Sequence, residues 1–201
     1  MNTELMFDYV VLGGGIVGVS TALSLITKHP DKRILLVEKE ESFAQHQTGH
    51  NSGVIHAGVY YEPGSLKAKF CREGLTETIK FCLLHKIPYQ QCGKLLVATN
   101  DTELKRMKEL YERCKSNDIE VEILNEKTLN EIEPHISGIG ALLVKSTGIV
   151  NYKLITEKMS EQFESLGGMF LLNTKIINLK EDEDKIQIIT SNETFSSRYL
   201  V

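Results

Sequence analysis

Apolar residues in this chain come in short blocks, and the spacing within the blocks changes along the sequence. Tyr9-Val10-Val11-Leu12 is a continuous run, the pattern of a strand buried on both faces, and it predicts a strand over residues 7–12. A helix is expected over 16–28, closed by His29-Pro30-Asp31, and Ile34-Leu35-Leu36-Val37 predicts a second strand over 33–38. Residues 45–63 then break the alternation with a loop rich in Gly, His, Asn and Ser. From Ser65 to about Leu84 apolar residues return at mostly helical spacing, at Leu66, Phe70, Leu75, Ile79 and Leu83, with Pro88 behind them.

Further on, residues 93–99 read as a strand, and Asn100-Asp101-Thr102-Glu103 caps a polar-faced helix reaching about Lys115. A short helix is expected at 125–132 and a strand at 141–144. A helix from Tyr152 to about Leu166 ends at Gly167-Gly168, and 169–179 is strand-like. Residues 186–190 and 193–197 predict a hairpin turning at Ser191-Asn192. Tyr199-Leu200-Val201 then reads as the beginning of a strand. No internal repeat or low-complexity linker interrupts the chain.

The first strand gains chemical meaning from its neighbours in the sequence. Gly13-Gly14-Gly15-Ile16-Val17-Gly18 sits between that strand and the first helix, and Glu38 stands twenty residues past Gly18 at the end of the second strand. That is the arrangement of a dinucleotide-binding βαβ unit. Gly13 permits the tight turn, Gly15 lets backbone approach a pyrophosphate, Gly18 allows close helix–strand packing, and Glu38 accepts from ribose hydroxyls. Ile16 and Val17 open the helix whose positive end would face the pyrophosphate. An acid at position 38 suits the adenosine of NAD and of FAD alike, so the motif leaves the two open.

Composition narrows the class. With 201 residues and 41% hydrophobic content the chain can bury a core, as one large or two small domains. Its net charge of -4 supplies no general attraction to nucleic acid or anionic membranes. Four cysteines without C-x-x-C spacing and a start lacking signal-peptide features point to a reducing cytoplasm. The apolar stretch Val10–Val19 contains four glycines and is far short of the ~20 residues a transmembrane helix requires. Peripheral membrane attachment stays open on this reading.

An NAD-type half would proceed from Glu38 to another crossover helix, whereas this chain enters the loop 45–63. The residues Gly13–Gly18, Glu38-Lys39, the block His50-Asn51-Ser52-Gly53-Val54-Ile55-His56-Ala57-Gly58-Val59-Tyr60-Tyr61, then Pro63–Ala68 and Gly93-Lys94-Leu95 resemble the L-2-hydroxyglutarate dehydrogenase/oxidase family. The similarity runs through the whole chain and matches the front half of such a protein. The resemblance implies an α/β fold of the D-amino-acid-oxidase type: a Rossmann-like FAD-binding domain with a doubly wound sheet and an inserted part of an α+β substrate domain, truncated at the C-terminus. It implies residues 1–85 as the first FAD-binding segment, 86–148 as substrate-domain segment, and 149–201 as an incomplete return. In a sheet ordered 3-2-1-4, the strand beside the first would then be missing, leaving an unpaired apolar edge. Poor turnover by residues 1–201 alone is the corresponding expectation.

The loop suits a flavin on chemical grounds as well. A run of small residues exposes backbone N–H groups that can bond a pyrophosphate and the electron-rich edge of an isoalloxazine. Asn51, Ser52 and Gly53 are the first choices, and by resemblance Thr48 to Ile55 run along the FAD, with Val54 and Ile55 near the ring. His56 has three readings: a base taking the hydroxyl proton of a 2-hydroxy acid, a covalent flavin tether, or a histidine shaping the loop. Tyr60 and Tyr61 either line a substrate pocket or pack beneath the loop. Lys67, Lys69 and Arg72 either attract a dicarboxylate or, as the commoner case for one exposed helix face, meet solvent. His46, His50 and His56 have no metal-ligand spacing, and no metal is expected. The family implies oxidation of L-2-hydroxyglutarate to 2-oxoglutarate, with a quinone or oxygen as electron acceptor and work at the inner face of the cytoplasmic membrane. Rivals are another FAD enzyme of the same fold acting on glycerol 3-phosphate or an amino acid, and a non-catalytic nucleotide-binding remnant.

Overall fold

The computed structural model describes residues 6–201. The chain runs through β1 (Met6–Leu12), α1 (Ile16–Lys28), β2 (Ile34–Val37) and β3 (Val54–Ile55). It continues with α2 (Leu66–His85), β4 (Tyr89–Gln90), β5 (Lys94–Ala98), α3 (Asp101–Ser116), β6 (Glu122–Asn125) and α4 (Glu126–Ile132). The last third holds β7 (Gly140–Val144), β8 (Gly148–Val150), α5 (Tyr152–Ser165), β9 (Met169–Leu171), β10 (Ile176–Glu181), β11 (Ile186–Thr190) and β12 (Thr194–Leu200). Helix starts are fixed by side chains that accept an orphan backbone N–H: Ser65 from Ala68, Asn100 from Glu103, Asn125 from Thr128 and Asn151 from Lys153.

The chain forms two compact units, one joining the segment up to Asn51 to Asn151–Val201, the other comprising Ser52–Val150. In the first, the strand order is β10-β11-β12-β1-β2-β9, and β12, β1, β2 and β9 run parallel. Every residue of β2 is buried, as its unbroken apolar run requires of a strand covered on both faces. On one face Val11, Ile34 and Leu36 pack with Val19, Ala22 and Ile26 of α1 and with Phe163 of α5. On the other, Phe7, Val10, Leu35 and Val37 meet Ile188 and Phe195 from the antiparallel β11–β12 arm.

Two expectations change on folding. The strand beside β1 is present: it is β12, whose first half pairs antiparallel with β11 (Ile188 with Phe195) and whose second half pairs parallel with β1 (Tyr9 with Tyr199, Val10 with Leu200). One strand performs both pairings that the sequence pattern divides between a hairpin limb and a missing successor. The strand-like stretch 169–179 is also two strands. Asn173 adopts a left-handed φ of 51° and its N–H bonds the Glu40 carbonyl, while the N–H of Thr174 bonds the Glu38 carbonyl. The chain therefore turns between β9 and β10 and is anchored to the end of β2.

The second unit holds an antiparallel sheet ordered β5-β7-β6. α3 covers one face through Met107 against Ala98 and Leu142, and α4 covers the other through Leu129 against Leu124 and Ala141. A smaller sheet, β3-β8-β4, ties Val54-Ile55 and Tyr89-Gln90 to Gly148–Val150.

Candidate functional site

In the first unit the glycine motif turns the end of β1 into α1. Gly13 has a φ of 110°, a conformation that L side chains rarely adopt. A Cβ on Gly18 would lie 1.9 Å from the Gly13 carbonyl oxygen, so only glycine lets the helix approach the strand end this closely. α1 begins at Gly15 with no side-chain cap and no acid in its first turn. The Ile16 N–H donates to Thr48 Oγ1 at 3.0 Å, and those of Val17 and Gly18 meet no acceptor among the described residues. Val17 is 76% exposed on this rim. Uncapped N–H groups at the positive end of a helix form a place for an anion.

Glu38 closes the other side. It is only 7% exposed, and its carboxylate accepts the N–H of Gly14 on one oxygen and that of Glu40, at 2.9 Å, on the other. These bonds fix its orientation, and the second lone pair of each oxygen stays available for hydroxyl donors. Between the glycine turn and Glu38 lies a cleft of about 500 Å³, completed by Lys39, His46, Thr174, Lys175 and Ile176. Lys39 Nζ lies 3.4 Å from Glu40 Oε1, and His46 Nε2 lies 2.8 Å from the same oxygen. The His46 hydrogen bond is the main cause that holds the Glu40 carboxyl below its ordinary range. The loop bearing Thr48 is stiffened from within: Asn51 Nδ2 donates to the carbonyls of Gln47 and Thr48, and His50 Nδ1 is 3.0 Å from the His46 carbonyl.

The structure thus places Gly13, Gly15, Glu38 and Lys39 on one cleft; Ile16, Val17 and Gly18 follow Gly15 into α1, and Thr48 is tied to that helix start through the Ile16 N–H. His46, weighed in the sequence only as a metal ligand, lines the cleft as well, and Thr174, Lys175 and Ile176 join it without any sequence signal. No spacing rule points to these three; they arrive through the turn between β9 and β10, which the Glu38 and Glu40 carbonyls hold in place.

Ser52, Gly53, Val54, Ile55 and His56 belong to the second unit. Gly53 has a φ of 69°, and a Cβ there would lie 2.7 Å from the carbonyl oxygen of Val150, whose N–H donates to the Gly53 carbonyl. Val54 and Ile55 form β3 against Gly148 and Ile149. His56 is exposed, and its carbonyl accepts the Cys71 thiol at 3.2 Å. Past it, the loop carrying Tyr60 and Tyr61 is pinned from the end of α3: Arg113 donates to the Tyr60 carbonyl at 3.2 Å and Asn117 to that of Tyr61 at 2.8 Å. Lys69 pairs with Glu73 and Arg72 with Asp118, so these two helix cations are already matched. Among the described residues no group of three or more His, Cys, Asp and Glu side chains could hold a metal ion.

Parallel strands, a glycine turn into an uncapped helix and a braced acid at the end of β2 define a dinucleotide-binding protein of the doubly wound class. The glycine contacts and the open helix donors fit a pyrophosphate, and Glu38 fits an adenosine ribose. The FAD dependent oxidoreductase family matches residues 8–201, and the chain belongs to it; FAD is the cofactor of that family. The L-2-hydroxyglutarate dehydrogenase of Escherichia coli (strain K12) is 52% identical over 185 residues, covering 92% of this chain and 44% of that protein. The mitochondrial L-2-hydroxyglutarate dehydrogenase of Mus musculus is 46% identical over 166 residues, covering 82% of this chain and 36% of that protein. The chain therefore spans less than half the length of these curated relatives. Among solved structures, dithionite-reduced L-alpha-glycerophosphate oxidase from Mycoplasma pneumoniae with FAD bound superposes with a TM-score of 0.87 at 25% identity, over 97% of this chain and 53% of that one. Glycine oxidase from Geobacillus kaustophilus, at 17% identity and a TM-score of 0.87, shares the fold over 98% of this chain and 55% of that one.

Proposed function

We propose that this protein is an FAD-dependent oxidoreductase that converts L-2-hydroxyglutarate to 2-oxoglutarate. The observation that carries the substrate is the 52% identity to the Escherichia coli dehydrogenase across 92% of this chain. FAD, when bound, supplies the two-electron acceptor that oxidation of a secondary alcohol to a ketone requires. Gly13, Gly15, Ile16, Val17 and Gly18 would hold its pyrophosphate, Thr48 would orient the same phosphates, and Glu38, with Lys39 beside it, would take the adenosine ribose. Asn51, Ser52, Gly53, Val54 and Ile55 would offer donors and small apolar surface to the ring. His56 is the residue we assign to receive the hydroxyl proton of the substrate; its exposed imidazole has no hydrogen-bond partner among the described residues. A quinone or oxygen would take the electrons onward, the former at the surface of the cytoplasmic membrane; no helix among the described residues is long and apolar enough to cross one.

The test is anaerobic bleaching of the bound flavin. L-2-hydroxyglutarate should bleach it, and the D enantiomer, glycerol 3-phosphate and glycine should not. Bleaching by glycerol 3-phosphate or glycine in preference would transfer the protein to another branch of its family, and a chain that binds no flavin would support the remnant reading. Colour left in the pellet after acid precipitation would identify a covalent flavin.

A further inference from the structure

The ion pairs among the described residues leave two cations beside the His56 loop without a carboxylate. Lys94 opens β5, and its stem leaves the sheet on the face of Leu96 and Ala98, by the two-residue period of the strand. Leu96 packs with Ala57 and Val59, so this face lies under the loop after His56. Lys94 is half-buried, and its Nζ stands 5.0 Å from the centroid of the Tyr60 ring. Arg113 reaches the same residue from α3 through its bond to the Tyr60 carbonyl. Among the described residues Lys94 and Arg113 take part in no ion pair, which they share with Lys67, Lys86, Lys105, Arg106 and Lys108 of the same unit; what sets the two apart is that both reach Tyr60. Tyr60 itself is 56% exposed.

We propose that Lys94 and Arg113, converging on Tyr60, form an anion-binding end of the substrate site that selects 2-hydroxy acids carrying a second carboxylate. This rests on the dicarboxylate reading above and goes beyond it by naming the residues that tell a dicarboxylate from a monocarboxylate. The chemistry is simple. A half-buried Lys head held over an aromatic face loses part of its hydration, and a carboxylate arriving there gains a charge-assisted bond without first displacing an internal acid. His56 lies four residues before Tyr60 on the same loop, which puts the proposed proton acceptor and the anion site on one short segment. Such a pair would fix both ends of a five-carbon substrate.

The experiment is a calorimetric titration of the FAD-loaded protein with glutarate, which has both carboxylates and no hydroxyl to oxidise, beside butyrate, which has one. Wild type should bind glutarate at least about tenfold more tightly than butyrate. Lys94→Met should weaken glutarate about tenfold, ~1.4 kcal/mol, and leave butyrate unchanged. Lys94→Arg should recover most of the loss, and Lys127→Met, removing a charge from α4, should behave as wild type. If Lys94→Met loses its circular dichroism, Arg113→Met carries the same comparison. Equal binding of glutarate and butyrate by wild type, or unchanged glutarate affinity in folded Lys94→Met and Arg113→Met, overturns the inference. Glutarate bound through Lys94 in a protein whose flavin L-2-hydroxyglutarate does not bleach would sink the substrate assignment alone.

Discussion

At the scale of single residues, the site depends on contacts too close for any replacement. Gly18→Ala drives a methyl into the Gly13 carbonyl oxygen and cannot be relieved by a side-chain rotation, because the obstacle is backbone. We expect this variant to lose retained FAD and to melt several degrees lower, checked by flavin absorbance and a thermal scan. Glu38→Gln removes an ionised acceptor shared by two backbone N–H groups in a buried setting. The expected cost is about 1.5–3 kcal/mol in a urea titration. Thr48→Val separates binding from stability: it removes the Oγ1 that meets the Ile16 N–H, and should weaken FAD more than it lowers the melting temperature. The thiols divide by environment. Burial pushes Cys71, Cys82 and Cys114 up, keeping them protonated at neutral pH, while Cys92 is exposed. Iodoacetamide should therefore label Cys92 first, and mass spectrometry showing Cys82 or Cys114 labelled equally fast would contradict the packing described.

At the scale of elements, what could be read from the sequence depended on how much of an element's cause was local. The five helices among the described residues were legible because each starts at a residue that caps it or at a glycine turn, a cause that lies within the element itself. Asn100→Ala should accordingly cost about 1 kcal/mol, measured by chemical denaturation, since its Oδ1 accepts the Glu103 N–H. The glycine motif and Glu38 were legible because every part lies within one βαβ unit. β6 was not: of Glu122-Ile123-Leu124-Asn125 only Leu124 is buried, so the strand owes its existence to pairing with β7 and shows no alternation of its own. The double role of β12 escaped for a related reason, because parallel pairing to β1 leaves no trace in the pattern of residues 194–200. Lys94 entered the sequence reading only within the Gly93-Lys94-Leu95 resemblance and Arg113 not at all, since their convergence on Tyr60 is visible only once the chain has folded.

At the scale of the molecule, the cleft in the first unit is bordered at one edge by a polar cluster. The Glu40 carboxylate receives His46 and Lys39 beside the loop that carries Thr48. Because its folded value is depressed, its contribution is complete above the ordinary glutamate value of 4.5 and is lost as pH falls through the lower, folded value. FAD release measured against pH should therefore be unchanged through mild acid and rise only below that range, and Glu40→Gln should remove the step. The uncapped start of α1 reaches further. A helix that leaves N–H groups unfilled until a pyrophosphate arrives belongs to a fold whose stability is set by mass action, growing as RT ln(1 + [L]/Kd) with its ligand. Vitamin status then becomes a determinant of abundance: cells starved of riboflavin should clear this polypeptide through their proteases while its messenger RNA stays level, and refeeding should restore it without new transcription.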